Sequence, residues 1–205
     1  MGIISKLFGR RSGTANGHSS GRKAIRTTVD RPFRISQPRI GFLNLQGSQG
    51  AALAEADQRI LGPLFQTSQT SADAVPGCEV LFVYCVLDPR GKVVGSELGI
   101  RELIKKAGAY IGVVASGNDP DSCINAMHGR NDWNANTVLI IDRKDDKTPK
   151  FFRRLFEAMF NEKSMLTAWI ELAPQIPGHD HPDAPGSIMA AEAGHLVFSR
   201  QTTPS

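Results

Sequence analysis

The sequence predicts a three-layer α/β/α sandwich on a mainly parallel, five-stranded sheet. Short runs rich in β-branched and aromatic residues alternate with amphipathic segments through residues 39–205, the pattern of strands joined by crossover helices. The runs are apolar at nearly every position, as strands covered on both faces are. Gly, Pro, Ser and Asp punctuate the changes from one element type to the next.

The strand-like runs are Arg39–Leu45, Glu79–Leu87, Ala109–Ala115, Thr137–Asp142 and His195–Ser199. The first expected helix, Ala51–Leu61, follows Ser48 and stops at Gly62-Pro63. Glu97–Ala107 places Ile100, Leu103, Ile104 and Ala107 on one face, with Ser96 as the expected N-cap. Pro120–His128 has Pro at its first position and Gly129 as its stop. Phe151–Phe160 carries a broad aromatic stripe, and Met165–Ala173 ends at Pro174.

Charge divides the chain. Residues 1–39 hold nine Lys/Arg against the single acid Asp30, and the remainder holds 15 basic against 19 acidic residues. A basic arm of residues 1–38 therefore precedes one mildly acidic domain, 39–205. Residues 10–38 are rich in Gly, Ser, Thr and Arg and read as a linker. Before it, Ile3, Ile4, Leu7 and Phe8 recur at helical spacing next to Arg10 and Arg11, a segment suited to an anionic membrane or other acidic surface. Lys6 breaks the myristoylation pattern, while the acid-poor, Arg- and Ser-rich start also resembles a transit peptide. No apolar run approaches the ~18 residues of a membrane span. Three cysteines, Cys78, Cys85 and Cys123, are too few for a disulfide framework and point to a reducing, cytoplasmic setting, with peripheral membrane attachment through the arm.

Each candidate site also has a plainer structural role. Asp142, Asp145 and Asp146 stand beyond a strand, where oxygen ligands for magnesium would be useful, but acids before a helix also stabilise its dipole and Arg143, Lys144 and Lys147 are interleaved with them. Capping is the favoured reading. Gly47 to Gly50 follow the first strand and open a helix, so Ser48 is a candidate anion contact, although neither dinucleotide nor P-loop spacing is present. His179, His181 and Asp183 have the residue types of half a zinc site but no fourth ligand beside them. Cys123 and His128 share a short helix, but five positions separate them, which places the side chains on different faces. No metal, cofactor or nucleic-acid motif is complete.

The runs AYIGVVAS (Ala109–Ser116), NTVLIIDRKDD (Asn136–Asp146), FFRRLFEAMF (Phe151–Phe160) and KSMLTAWIELAPQ (Lys163–Gln175) resemble, in order and character, those of the CHAT domain family, relatives of caspases. EVLFVYCVLDPRGKVVGS (Glu79–Ser96) matches the strand that bears the catalytic histidine in that family. The resemblance implies a caspase-like fold, with a flavodoxin-like fold as the alternative. It places Ser116, not Cys, at the nucleophile position, and Tyr84 to Leu87 contain no His. General-base activation of a thiol needs that imidazole. The expected function is therefore a non-catalytic module that binds a protein partner. The alternatives are a hydrolase using Cys123 or a nucleotide-handling site near Ser116, Asn118 and Asp142 at the strand ends, and an anion sensor using Ser48 to Gly50.

Overall fold

Four strands form where the sequence is apolar at consecutive positions, because each is buried on both faces. The computed structural model describes residues 33–115, 120–127, 133–173, 183–193 and 195–200. Its elements in chain order are β1 (Phe33–Ser36), β2 (Ile40–Asn44), α1 (Gly47–Leu61), a 3-10 turn (Gly62–Leu64), β3 (Ser68–Ser71), β4 (Val80–Tyr84), α2 (Ile100–Ala107), β5 (Ile111–Ala115), α3 (Pro120–Met127), β6 (Asn136–Asp142), α4 (Lys147–Phe160), α5 (Met165–Leu172), β7 (Gly186–Ala190) and β8 (Leu196–Ser199). The sheet has six strands in the order β3-β2-β4-β5-β6-β7. All pair in parallel except β7, which runs antiparallel to β6. Its first five strands follow the 2-1-3-4-5 order of doubly wound folds.

The expected five strands are thus corrected to six. The polar run Ser68–Ser71 forms an edge strand, where side chains meet solvent and no apolar pattern is required. Gly186–Ala190 supplies the opposite edge. His195–Ser199, expected in the main sheet, instead contributes β8 to a separate parallel pair with β1. β1 itself lies inside the span read as tail, and its Ile35 is buried.

Side chains alternate between two cores. On one face Phe42, Phe82, Val113 and Val138 meet α1, α4 and α5. On the other, Leu43, Val83, Val114 and Leu139 meet α2 and α3. The aromatic stripe of α4 dominates the first core. Phe152 is edge-on to Phe82 at 5.4 Å, and Phe151 is edge-on to Trp169 at 5.3 Å. The chain passes from β3 to β4 over the exterior of β2, and Gly41 makes this passage possible. A Cβ there would stand 2.7 Å from both Pro76 Cγ and Cys78 Sγ, so any side chain would displace the crossing segment.

Helix starts differ from the sequence expectation for local reasons. α2 begins at Ile100 with Gly99 as N-cap, and the Gly99 N–H donates to Glu102 Oε2 at 2.8 Å. Ser96 lies upstream, its hydroxyl bonded to the backbone of Leu98. α4 begins at Lys147, and Thr148 Oγ1 accepts from the Lys144 N–H at 2.9 Å.

Candidate functional site

The carboxyl ends of β2, β4, β5 and β6 form a crest, the usual place for sites in such sheets. Asn44 ends β2 and organises the turn into α1. Its Oδ1 accepts from the Gln46 N–H at 2.9 Å and its Nδ2 donates to the Gly47 carbonyl at 2.8 Å. Gln46 then donates through Nε2 to the Cys85 carbonyl at 2.8 Å, tying this turn to the end of β4. A Cβ at Gly50 would lie 2.0 Å from Asn44 Oδ1, so Gly is required if Asn44 is to keep these bonds. Ser48 stands exposed in the first turn of α1, which carries no acid and no side-chain cap.

Beneath this turn lies a buried polar cluster. Asp57 is fully buried on the inner face of α1, in line with Gly50, Ala54 and Leu61. Tyr84, the last residue of β4, donates its hydroxyl proton to Asp57 Oδ2 at 2.7 Å. Arg143, just past β6, donates Nη1 to Oδ2 at 3.1 Å and Nη2 to Oδ1 at 2.5 Å, a two-pronged pair. Burial, the Asp57 charge and their hydrogen bond push the Tyr84 hydroxyl well above its ordinary pKa. Burial works against the charge on Arg143, but the Asp57 carboxylate outweighs it and the guanidinium pKa is raised. Arg143 Nε is buried without a hydrogen-bond partner among the described residues. The shifts keep the phenol neutral and the guanidinium charged at neutral pH. The cluster joins α1, β4 and the β6–α4 loop.

Sequence reasoning missed Asp57 and Tyr84 and set Arg143 against its acidic neighbours. The available signal was a carboxylate on the apolar stripe of α1. Asp142, Asp145 and Asp146 are exposed. Asp146 occupies the N-cap position of α4 but makes no side-chain capping hydrogen bond, so these acids contribute to the helix start only through its dipole.

The thiols are sealed. Cys85 and Cys123 are fully buried in the second core, and Cys78 nearly so. Burial, with a smaller contribution from Cys123, pushes the Cys85 thiol up from 9.0 to about 12. Burial, reinforced by Glu79, does the same for Cys78. A thiol so placed is neither nucleophile nor metal ligand at neutral pH. Iodoacetamide should accordingly alkylate the folded protein at pH 7 only as fast as it opens, and rapid modification of Cys123 near pH 6 would contradict this. The sign of the linkage is also fixed. The folded state holds these two protons to higher pH than the unfolded chain, so the thiols' contribution to stability is constant below about pH 9 and is lost from there to about pH 12. A melting series across this range should show the loss, reduced in Cys85→Ala.

After β4 the chain forms a hairpin in which the Val94 N–H donates to the Val86 carbonyl at 2.9 Å and Leu87 bridges Val93. Leu87 and Val93 face the core, which turns Val86 and Val94 outward, 50% and 52% exposed. Asn125 of α3 braces the turn by donating to the Pro89 carbonyl at 2.8 Å. Beside this hairpin, between the β3–β4 crossover and α2, is a cleft of about 440 Å³ with a floor of Leu45, Val75 and Leu103 and a rim of Asp73, Glu97 and Lys106.

Of the remaining candidates, Ser116, Asn118, His128, His179 and His181 lie outside the described residues. Asp183 is half-buried and pairs with Arg154 at 3.3 Å. Among the described residues no group of three His, Cys, Asp or Glu side chains is arranged to hold a metal, and no helix is long and apolar enough to cross a membrane. Comparison with known proteins finds no matching family, no similar curated protein and no similar solved structure.

Proposed function

We propose that this chain is a non-catalytic, caspase-like (CHAT-like) interaction module that binds a protein partner at its crest and docks its basic arm on an anionic surface. The observation that carries this reading is the fixing of Tyr84 by Asp57 and Arg143. The family resemblance sets the general-base histidine at this strand end, and here a neutral phenol is held inward by a buried ion pair. The geometry is consistent with the resemblance in one further respect. The two strands aligned with the dyad-bearing ones, β4 and β5, are parallel neighbours with Val83 opposite Val114, so their carboxyl ends adjoin. Next to this fixed phenol the crest offers the outward pair Val86 and Val94, the apolar surface that a protein partner covers.

A panel of serine- and cysteine-directed hydrolase probes on the full-length protein tests the non-catalytic half. No labelling above that of the heat-unfolded chain is expected. Labelling lost in Ser116→Ala or Cys123→Ala would establish an enzyme.

For the arm, flotation with vesicles containing anionic lipid should recover the protein at low salt and lose it as salt rises. Each Lys or Arg near such a surface contributes about 1 kcal/mol, and the Debye length shrinks from about 10 Å at 0.1 M to about 3 Å at 1 M. Deleting residues 1–32 should abolish recovery. A protein that stays in solution at low salt would remove the membrane from the proposal.

A further inference from the structure

At the opposite, amino-terminal end of the sheet a half-open hollow of about 270 Å³ is enclosed by four segments. They are the β1–β2 link at Gln37 and Pro38, the turn after α1 from Pro63 to Gln66, the end of α4 at Phe160, and Arg200 beyond β8. Its walls are preformed. The Gln37 N–H donates to the Ser199 carbonyl at 2.7 Å, and the Phe65 N–H donates back to the Gly62 carbonyl at 3.1 Å. Phe65 meets Phe160 edge-on at 5.8 Å, and Phe160 packs on Phe198 at 5.1 Å. Gln37 is held at φ 48°, a left-handed conformation that side-chain-bearing residues seldom adopt.

The chemistry of the lining is divided. Pro38, Pro63, Leu64, Phe65 and Phe160 supply apolar surface, and the Arg200 guanidinium lies over the Phe160 ring at 5.0 Å from its centroid. Arg200 has no ion pair, and the side chains of Gln37, Gln66 and Arg200 have no hydrogen-bond partner, among the described residues. Stacking on the ring restricts Arg200 and leaves its donor edge available. A planar guanidinium fork matches a carboxylate, and two amide side chains beside it add donors. Among the described residues the lining carries one cation, which balances one negative charge. The volume accommodates a body of roughly ten non-hydrogen atoms at about 30 Å³ each.

We infer that this hollow binds a small amphipathic monocarboxylate, its aliphatic or aromatic body between Leu64, Phe65 and Phe160 and its carboxylate on Arg200. The site is separate from the crest and independent of the partner-binding proposal.

The test is a titration of the full-length protein with sodium octanoate, followed by backbone amide NMR, with octanol and octylammonium in parallel. Octanoate should shift Leu64, Gln66 and Phe160 saturably with a midpoint in the millimolar range, as expected for about ten non-hydrogen atoms on a half-open site. Octanol should bind about tenfold more weakly, because it lacks the charge-assisted hydrogen bonds, and octylammonium more weakly still. Arg200→Gln should lower octanoate affinity to that of octanol and leave octanol unchanged. Leu64→Trp, which fills the hollow, should abolish both; if that variant fails to fold, Arg200→Gln alone decides. Equal affinity for octanoate and octanol, indifference to Arg200→Gln, or no saturable shift at about 20 mM, well above the expected midpoint, would each overturn the inference.

Discussion

Asp57→Ala is expected to lower stability by about 3–5 kcal/mol, the cost of leaving one charge of a buried pair without its partner. For a domain of this size each kcal/mol corresponds to roughly 2–4 °C of melting temperature, so the shift should exceed about 6 °C. The size follows from the surroundings. Asp57 is fully buried and accepts three hydrogen bonds, two from Arg143 and one from Tyr84. Removing it strands a guanidinium that is already short of a partner at Nε, and it deprives the buried phenol of its acceptor. The same physics predicts strong non-additivity. Asp57→Leu combined with Arg143→Met and Tyr84→Phe removes all the buried polar groups together, and such replacements are close to neutral where single ones are costly. Thermal melts of the single and triple variants check both statements. A single variant as stable as the parent would show that Arg143 escapes to solvent when released.

Phe152→Ala should cost about as much, roughly 3–5 kcal/mol, because it forfeits the packing of a whole ring and leaves a cavity in its place. Phe152 is fully buried at the centre of the first core. It is edge-on to Phe82 and Phe151 and lies near Phe156 and Trp169, with centroids between 5.4 and 6.3 Å. Large rings braced by other large rings collapse poorly into a void, which favours the upper part of that range. Phe152→Leu should recover more than half of the loss by restoring most of the volume. Urea unfolding with unchanged slope would attribute the effect to the native state.

The layers were legible because burial acts on composition. β2, β4, β5 and β6 are buried on both faces, and their sequences are apolar apart from the buried Asn44, Asn136 and Thr137 and the last residue of β6. The α4 helix announced itself by its aromatic stripe. The strands that escaped notice are those freed from that constraint. β3 is an edge whose side chains, Gln69 and Thr70 among them, face water, and Thr70 is held by a hydrogen bond to Gln58 rather than by packing. β7 is a short edge beginning at Gly186, and β1 pairs outside the main sheet with β8, a strand that was legible in His195–Ser199 although its place in a separate pair was not. The site was less legible still. The acidic knot after β6 drew attention through its charge density, but its buried member is Arg143, whose partner lies 86 positions away on α1. Local charge pattern cannot disclose a pairing made by the crossing of elements. What sequence did offer was Asp57 between Ala54 and Leu61 on a buried helix face, an acid that must have a cation somewhere.

The absence of an imidazole after β4 was also legible, since Tyr84 to Leu87 can be read directly. The sequence does not tell that Tyr84 turns inward, because that depends on the Asp57 carboxylate opposite. The result is a crest that turns Val86 and Val94 outward beside the exposed Ser48, Asp142, Asp145 and Asp146, and the central claim is that a protein covers the two valines.

Affinity capture from the native organism with the full-length chain and with Val86→Asp/Val94→Asp, compared protein by protein, tests this claim most directly. Both positions are half exposed, so the double variant should keep its melting temperature to within about 3 °C, the usual range for exposed substitutions. At least one protein should be retained in near-stoichiometric amount by the parent and lost with the variant. Identical sets of proteins on both, or nothing above background on the parent, would contradict it.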